Sequence, residues 1–125
     1  MRSPYQYVVL RCVPRVDREE FVNLGIVVYC QEQDYLAAAC RVNDDRLRAL
    51  WPDIDVHGVR STLDFVAGVC SGQGDLGAAA TGDLGTRFGF LKAPRSTVVQ
   101  PGPVHGGITG DPAAELARLL DLLVP

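Results

Sequence analysis

The residues richest in chemistry lie in "APRSTVVQPGPVHGG", residues 93–107. Arg95 offers a five-donor guanidinium fork, Ser96 and Thr97 offer hydroxyls that donate and accept, and His105 changes protonation near neutral pH. Gathered at one point, these groups suit an anion such as a phosphate or carboxylate, held by charge-assisted hydrogen bonds. Gly106 and Gly107 would let the backbone approach such a ligand closely. Catalysis asks for more, because a Ser96–His105 nucleophile–base pair needs a third group to orient the base. No such group is visible at a defined spacing, so no catalytic residue is assigned. The same stretch also has a structural reading. In it Arg95 pairs with Glu19, Glu20 or Asp111, Ser96 and Thr97 finish a turn, and His105 is an edge-strand residue.

For the four side chains to meet, two short strands must lie side by side. Pro94 restricts Ala93 to extended conformations, and "STVVQ" has strand composition. Pro101 and Pro103 flank Gly102, which reads as a turn, and "VHGGIT" reads as an edge strand that pairs back. Arg11, from the first strand, would support the site.

The rest of the chain supplies the frame. "YQYVVLRCV" at 5–13 is a strand ending at Pro14, and "RVDREE" is a connection with a helical turn. "FVNLGIVVYCQ" at 21–31 is a second strand, in which Gly25 suggests a bulge or a close backbone approach. "YLAAACRV" at 35–42 completes a hairpin with it. Strict alternation puts Val8, Leu10 and Cys12 on one face, with Val22, Leu24, Ile26, Val28 and Cys30 aligned in the second strand. Leu36, Ala38, Cys40 and Val42 align in the third, so three cysteines face inward as core residues rather than as metal ligands.

The period then changes. Asn43 or Asp44 caps a short helix that Pro52 stops. A longer helix over 55–71 buries Val59, Leu63, Val66 and Cys70, and its polar stripe of His57, Arg60, Ser61 and Asp64 predicts an Arg60–Asp64 ion pair. Residues 71–85 hold five of the 13 glycines and read as a mobile loop without a phosphate-loop fingerprint. "TRFGFLKA" is a short helix or strand. Asp111-Pro112 opens a last helix with Leu116, Leu119, Leu120 and Leu123 on one stripe. The expected fold is α+β, one domain over residues 1–125. It is a mainly antiparallel sheet of four to five strands with two to four helices packed on it.

Composition narrows the function classes. The chain has 125 residues, 47% hydrophobic and 22% charged, with a net charge of −3. A mildly acidic chain lacks the basic footprint of a nucleic-acid binder, and Asp44, Asp45, Asp53 and Asp55 surround Arg46, Arg48 and Arg60. No apolar run approaches the length of a membrane span, and the N-terminus lacks a signal-peptide pattern. These features predict a cytoplasmic protein with reduced cysteines, no metal and no cofactor.

Three segments, "YQYVVLRCVPRVDREEFVNLGIVVYCQ", "APRSTVVQPGPVH" and "DPAAELARLL", resemble the blocks of a bacterial family of small proteins, domain of unknown function 3037. The resemblance spans nearly the whole chain, in order and spacing. The matching positions are Tyr5, Tyr7, Arg11, Glu20, Phe21, Asn23, Gly25, Arg95, Ser96 and His105. Gly89 and Gly106 depart from it, standing where members carry more polar or aromatic residues. The family supplies no catalytic residue to transfer, and it implies a kinase-like partner resembling the HipA family. Two expectations follow. One is a non-enzymatic accessory or regulatory module that binds a protein partner, with Tyr5, Tyr7, Tyr29 and Tyr35 as exposed aromatics on its strands unless the helices cover them. The other is a binder or enzyme for a small anionic, phosphate-bearing ligand, using Arg95, Ser96, Thr97 and His105 with Arg11. Association into a homo-oligomer is compatible with both.

Overall fold

Ten residues near the N-terminus set the layout. In the computed structural model, which describes residues 1–125, β1 (Ser3–Cys12) alternates its side chains between two buried faces. Val8, Leu10 and Cys12 enter one apolar cluster, while Tyr5 and Val9 enter another. A strand apolar on both faces needs neighbours on both edges and cover above and below.

β2 (Val22–Cys30) pairs with one edge of β1, and β3 (Tyr35–Cys40) extends the sheet beyond it. Two short strands, β4 (Val99–Pro101) and β5 (His105–Thr109), both pair with the other edge of β1. All pairings are antiparallel. Side chains of α1 (Asp44–Leu50), α2 (Val56–Ser71) and α3 (Leu84–Lys92) fill the first cluster, and those of α4 (Pro112–Leu123) fill the second. The fold is therefore α+β, with four α-helices and two 3₁₀ segments at Val16–Arg18 and Gly74–Ala80.

The helices begin where short polar side chains satisfy free backbone amides. The carboxamide of Asn43 accepts from the amide of Arg46 at 3.1 Å, and the carboxylates of Asp55, Asp83 and Asp111 accept from Gly58, Thr86 and Ala114 at 2.9, 2.7 and 3.1 Å. The predicted Leu stripe of α4 meets the sheet through buried Leu116 and Leu119, with Leu120 and Leu123 beside them. Each fully buried leucine contributes roughly 1.5–3 kcal/mol. The glycine-rich segment is tied to the first cluster by Leu76, Ala79 and buried Ala80. "TRFGFLKA" falls within α3, which buries Phe88 and Leu91.

Two expectations are corrected. First, strict alternation does not hold along β2, because the bulge that Gly25 suggests is present: Leu10 faces Gly25 but Arg11 faces Asn23, leaving Leu24 as the extra residue. Leu24 and Val27 join the first cluster, whereas Ile26, Val28 and Cys30 join the second. Alternation unbroken from 22 to 30 would have put Leu24 and Ile26 together. Cys12 and Cys30 therefore lie on opposite faces, and Cys40 is exposed. Gly25 is needed there because a Cβ would lie 2.6 Å from the carbonyl oxygen of Ala39 and 2.7 Å from Cys40 Sγ.

Second, Pro101-Gly102-Pro103 does not reverse the chain. β4 lies against Leu10–Cys12 and β5 against Ser3–Tyr7, so the two run end to end along β1 rather than beside each other. Between the pairs Tyr7–His105 and Leu10–Pro101, β1 has Val8 and Val9 while the edge has Gly102, Pro103 and Val104. The prolines thus mark a one-residue bulge in an edge strand, where a missing amide costs no ladder bond.

Candidate functional site

The joint between α1 and α2 and the segment leading into β4 face each other across a cleft of about 760 Å³. Trp51, Asp53, Ile54, Asp55, Gly58, Val59, Thr62 and Phe65 form one wall, Arg95 to Val99 the other, and Pro14 completes the lining. Local chemistry explains the joint. The amide of Trp51 closes the last turn of α1 on Leu47 O at 2.9 Å, and Pro52 cannot continue the helix. Asp55 then caps α2, which sends Val59, Leu63 and Val66 into the core and leaves Gly58, Thr62 and Phe65 beside the cleft.

The cleft is apolar and aromatic with a negative edge. Asp53 and Asp55 are exposed at its mouth and neither joins an ion pair. Its single cation, Arg95, is already engaged. Its Nη2 donates to the carbonyl of Phe90 and its Nε to that of Ala93 at 3.3 Å, and the guanidinium lies 4.8 Å from the Phe90 ring centroid. Those carbonyls belong to the C-terminal end of α3, which lacks helical partners and carries the negative end of the dipole. Arg95 is therefore a C-cap, with three of its five donors left over. Glu20 pairs instead with Arg18 at 2.5 Å, and Asp111 caps α4.

The other predicted residues divide. Ser96 and Thr97 line the cleft with Arg95. The Thr97 hydroxyl donates to Val99 O at 2.8 Å, while that of Ser96 has no partner in the chain. His105 pairs across strands with Tyr7 and stacks on it, ring centroids 5.1 Å apart, on the face that carries α4. Arg11 faces the same side, its guanidinium 4.0 Å from the centroid of the Phe21 ring. The meeting of Arg95 with His105 does not occur, because β4 and β5 are not neighbours and the two residues stand on opposite faces. With no histidine among its lining residues, the cleft holds no Ser–His pair.

Other surfaces are quieter. The helix α2 stripe of His57, Arg60, Ser61 and Asp64 is exposed. Arg60 reaches Asp44 at 2.6 Å, not Asp64, which ties α2 to α1. The strand tyrosines are covered by helices: Tyr5 is buried, Tyr7 and Tyr35 pack beside the α4 cluster, and Tyr29 stacks on Phe88 at 5.1 Å. The Tyr5 hydroxyl donates to Glu115 Oε2 at 2.6 Å, and burial, followed by that carboxylate, pushes its pKa up to about 12. Burial raises the thiols of Cys12 to about 11 and Cys70 to about 12, far from nucleophilic thiolates at neutral pH. No group of three or more His, Cys, Asp or Glu side chains is placed to hold a metal ion.

Sequence reasoning missed Trp51, Asp53, Ile54, Thr62 and Phe65 as cleft residues. The available signal was "WPDID", residues 51–55: the only tryptophan of the chain beside two acids in a helix-to-helix joint.

No helix is long and apolar enough to cross a membrane. No curated protein and no solved structure matches the chain. The family described as Protein of unknown function (DUF3037) matches residues 7–124, and the chain belongs to that family.

Proposed function

We propose that this chain is a cytoplasmic, non-enzymatic interaction module of a bacterium, and that the cleft between the α1–α2 joint and residues 95–99 takes a short segment of a partner protein. The observation that carries this reading is the pairing of an aromatic and aliphatic wall, Trp51, Ile54 and Phe65, with two carboxylates, Asp53 and Asp55. Apolar side chains would fill such a wall, and a lysine or arginine beside them would meet the acids. An anionic ligand suits it less well, since it would meet one cation, Arg95, whose fork is partly used in capping α3, beside two carboxylates. The family resemblance points to a HipA-like kinase as the partner.

The test uses that kinase-like protein from the same genome and isothermal titration calorimetry. Thr62→Arg places a bulky cation in the cleft from an exposed helix position and should change stability by no more than about 0.5 kcal/mol. Binding by the wild type and loss of at least tenfold in the variant is the expected result. Equal binding by both proteins removes the cleft from the account, and no binding by the wild type removes the kinase.

A further inference from the structure

We propose that the opposite face of the sheet carries an anion-binding site, centred on Arg11 and flanked by Gln100 and the Tyr7–His105 pair, for a carboxylate or phosphate group. It is independent of the cleft. Helix α4 packs chiefly on β2 and β3 and reaches β1 at Tyr5 and Val9, while Arg11 and Gln100 further along are only half-buried. Arg11 has no acidic partner and no hydrogen bond to the chain.

The α4 carboxylates and Glu20 are engaged elsewhere. Glu115 holds Tyr5 and Arg118, Asp121 holds Arg41, and Glu20 holds Arg18. A half-buried guanidinium without a counter-charge is costly unless something supplies one. Two buried donors point the same way. Arg11 Nε and the Nε2 of Gln100, its direct cross-strand neighbour, have no acceptor in the chain. The Oδ1 of Asn23, across β2 from Arg11, is unpaired as well, but it carries no charge, whereas a carboxylate or phosphate offers several acceptors together with the missing counter-charge.

The guanidinium is also held in place. It lies over the Phe21 ring, and its Nη2 rests where a side chain at residue 102 would be, since a Cβ on Gly102 would come within 2.5 Å of it. That contact leans Arg11 toward the segment that continues into His105. Tyr7 and His105 project from the same face, with Val9 between Tyr7 and Arg11 as an apolar floor. Phe21, 45% exposed, is the ring against which the guanidinium lies.

The test follows the Arg11 Nε–H and His105 ring signals by NMR while inorganic phosphate and, separately, acetate are titrated into the intact protein. The expected result is a saturable shift of both residues at millimolar concentration. Saturation with phosphate alone assigns a phosphate-bearing ligand, and saturation with acetate assigns a carboxylate. Arg11→Gln should abolish the shift. Arg11→Lys, which keeps the charge but loses the fork, guards against misfolding and should weaken binding about tenfold. Gly102→Ala should weaken it by displacing the guanidinium, while Thr62→Arg should leave it unchanged. Absence of a saturable shift with either anion, or retention of the wild-type affinity in Arg11→Lys, overturns the proposal.

Discussion

Arg95 and Arg11 stand on opposite faces of the same sheet, close to the same edge strand, and are used in opposite ways. Arg95 lies within reach of carbonyls that a helix cannot satisfy, so its fork closes the end of α3 and its charge is matched by a dipole. Arg11 reaches only an aromatic ring and a glycine, and its charge has no partner in the chain. Residue type is the same and local supply of acceptors differs. The consequence is a cleft whose free charge, Asp53, is acidic on one face and a surface whose free charge is cationic on the other. One face suits a basic, apolar peptide segment, and the other suits a small anion.

The largest predicted effect breaks both faces at once. Gly25 carries the bulge that sends Leu24 to one cluster and Ile26 to the other, and its Cβ position is occupied by β3 backbone. Gly25→Ala should destabilise the protein by about 3 kcal/mol, the upper range for overpacking, measured by urea denaturation. An unchanged midpoint would mean that β3 yields easily and that the bulge is not set by this contact.

Alkaline pH separates the faces more gently. Cys12 and Cys70 belong to the first cluster and Tyr5 to the second. The thiols ionise at 9.0 when unexposed to the fold and at about 11 and 12 within it, and the phenol at 10.0 and about 12. Each folded value is raised, so the unfolded state gains by ionising first. Stability should hold below pH 9 and fall as pH rises from 9 to 12. Tyr5→Phe should remove the part of the loss between 10 and 12, read as a flatter melting-temperature curve. A curve of unchanged slope in that variant would take Tyr5 out of the explanation.

The smallest effect sharpens the contrast between the arginines. Arg95→Ala removes a C-cap and a ring contact, and should lower stability by about 1 kcal/mol with loss of exchange protection confined to the last turn of α3. The corresponding Arg11→Gln change should cost less or nothing, because it removes an unpaired charge. If Arg95→Ala leaves α3 protected, the cap does not hold the helix end.

Local signals in the sequence were sufficient for most elements. The Asp111-Pro112 start and the leucine stripe of α4, the cap at Asn43 or Asp44, and the apolar positions of α2 depend on residues a few positions apart, and the structure has them, with Asn43 as the cap. Three features depend on distant partners. The phase reversal at Gly25 is hinted at by the glycine but invisible to alternation, because one extra residue in a nine-residue strand leaves the composition unchanged. Pro101-Gly102-Pro103 has the composition of a turn, yet β1 is long enough to pair with both flanking strands in succession. Arg95 found backbone carbonyls five and two residues before it, where the sequence offered carboxylates at Glu19, Glu20 or Asp111. The cleft itself was hidden because its walls, 51–65 and 95–99, meet only once α2 lies on the sheet. Of the predicted residues, Arg95, Ser96 and Thr97 came together and His105 and Arg11 went to the other face.

The most direct test of the cleft as the docking surface is a footprint by backbone amide NMR, with the kinase-like protein added to the isotopically labelled chain. Perturbed amides should cluster at residues 53–65 and 95–99 and spare α4 and β5. A footprint on α4, β5 or the outer edge of β3, with the cleft amides unmoved, would contradict it.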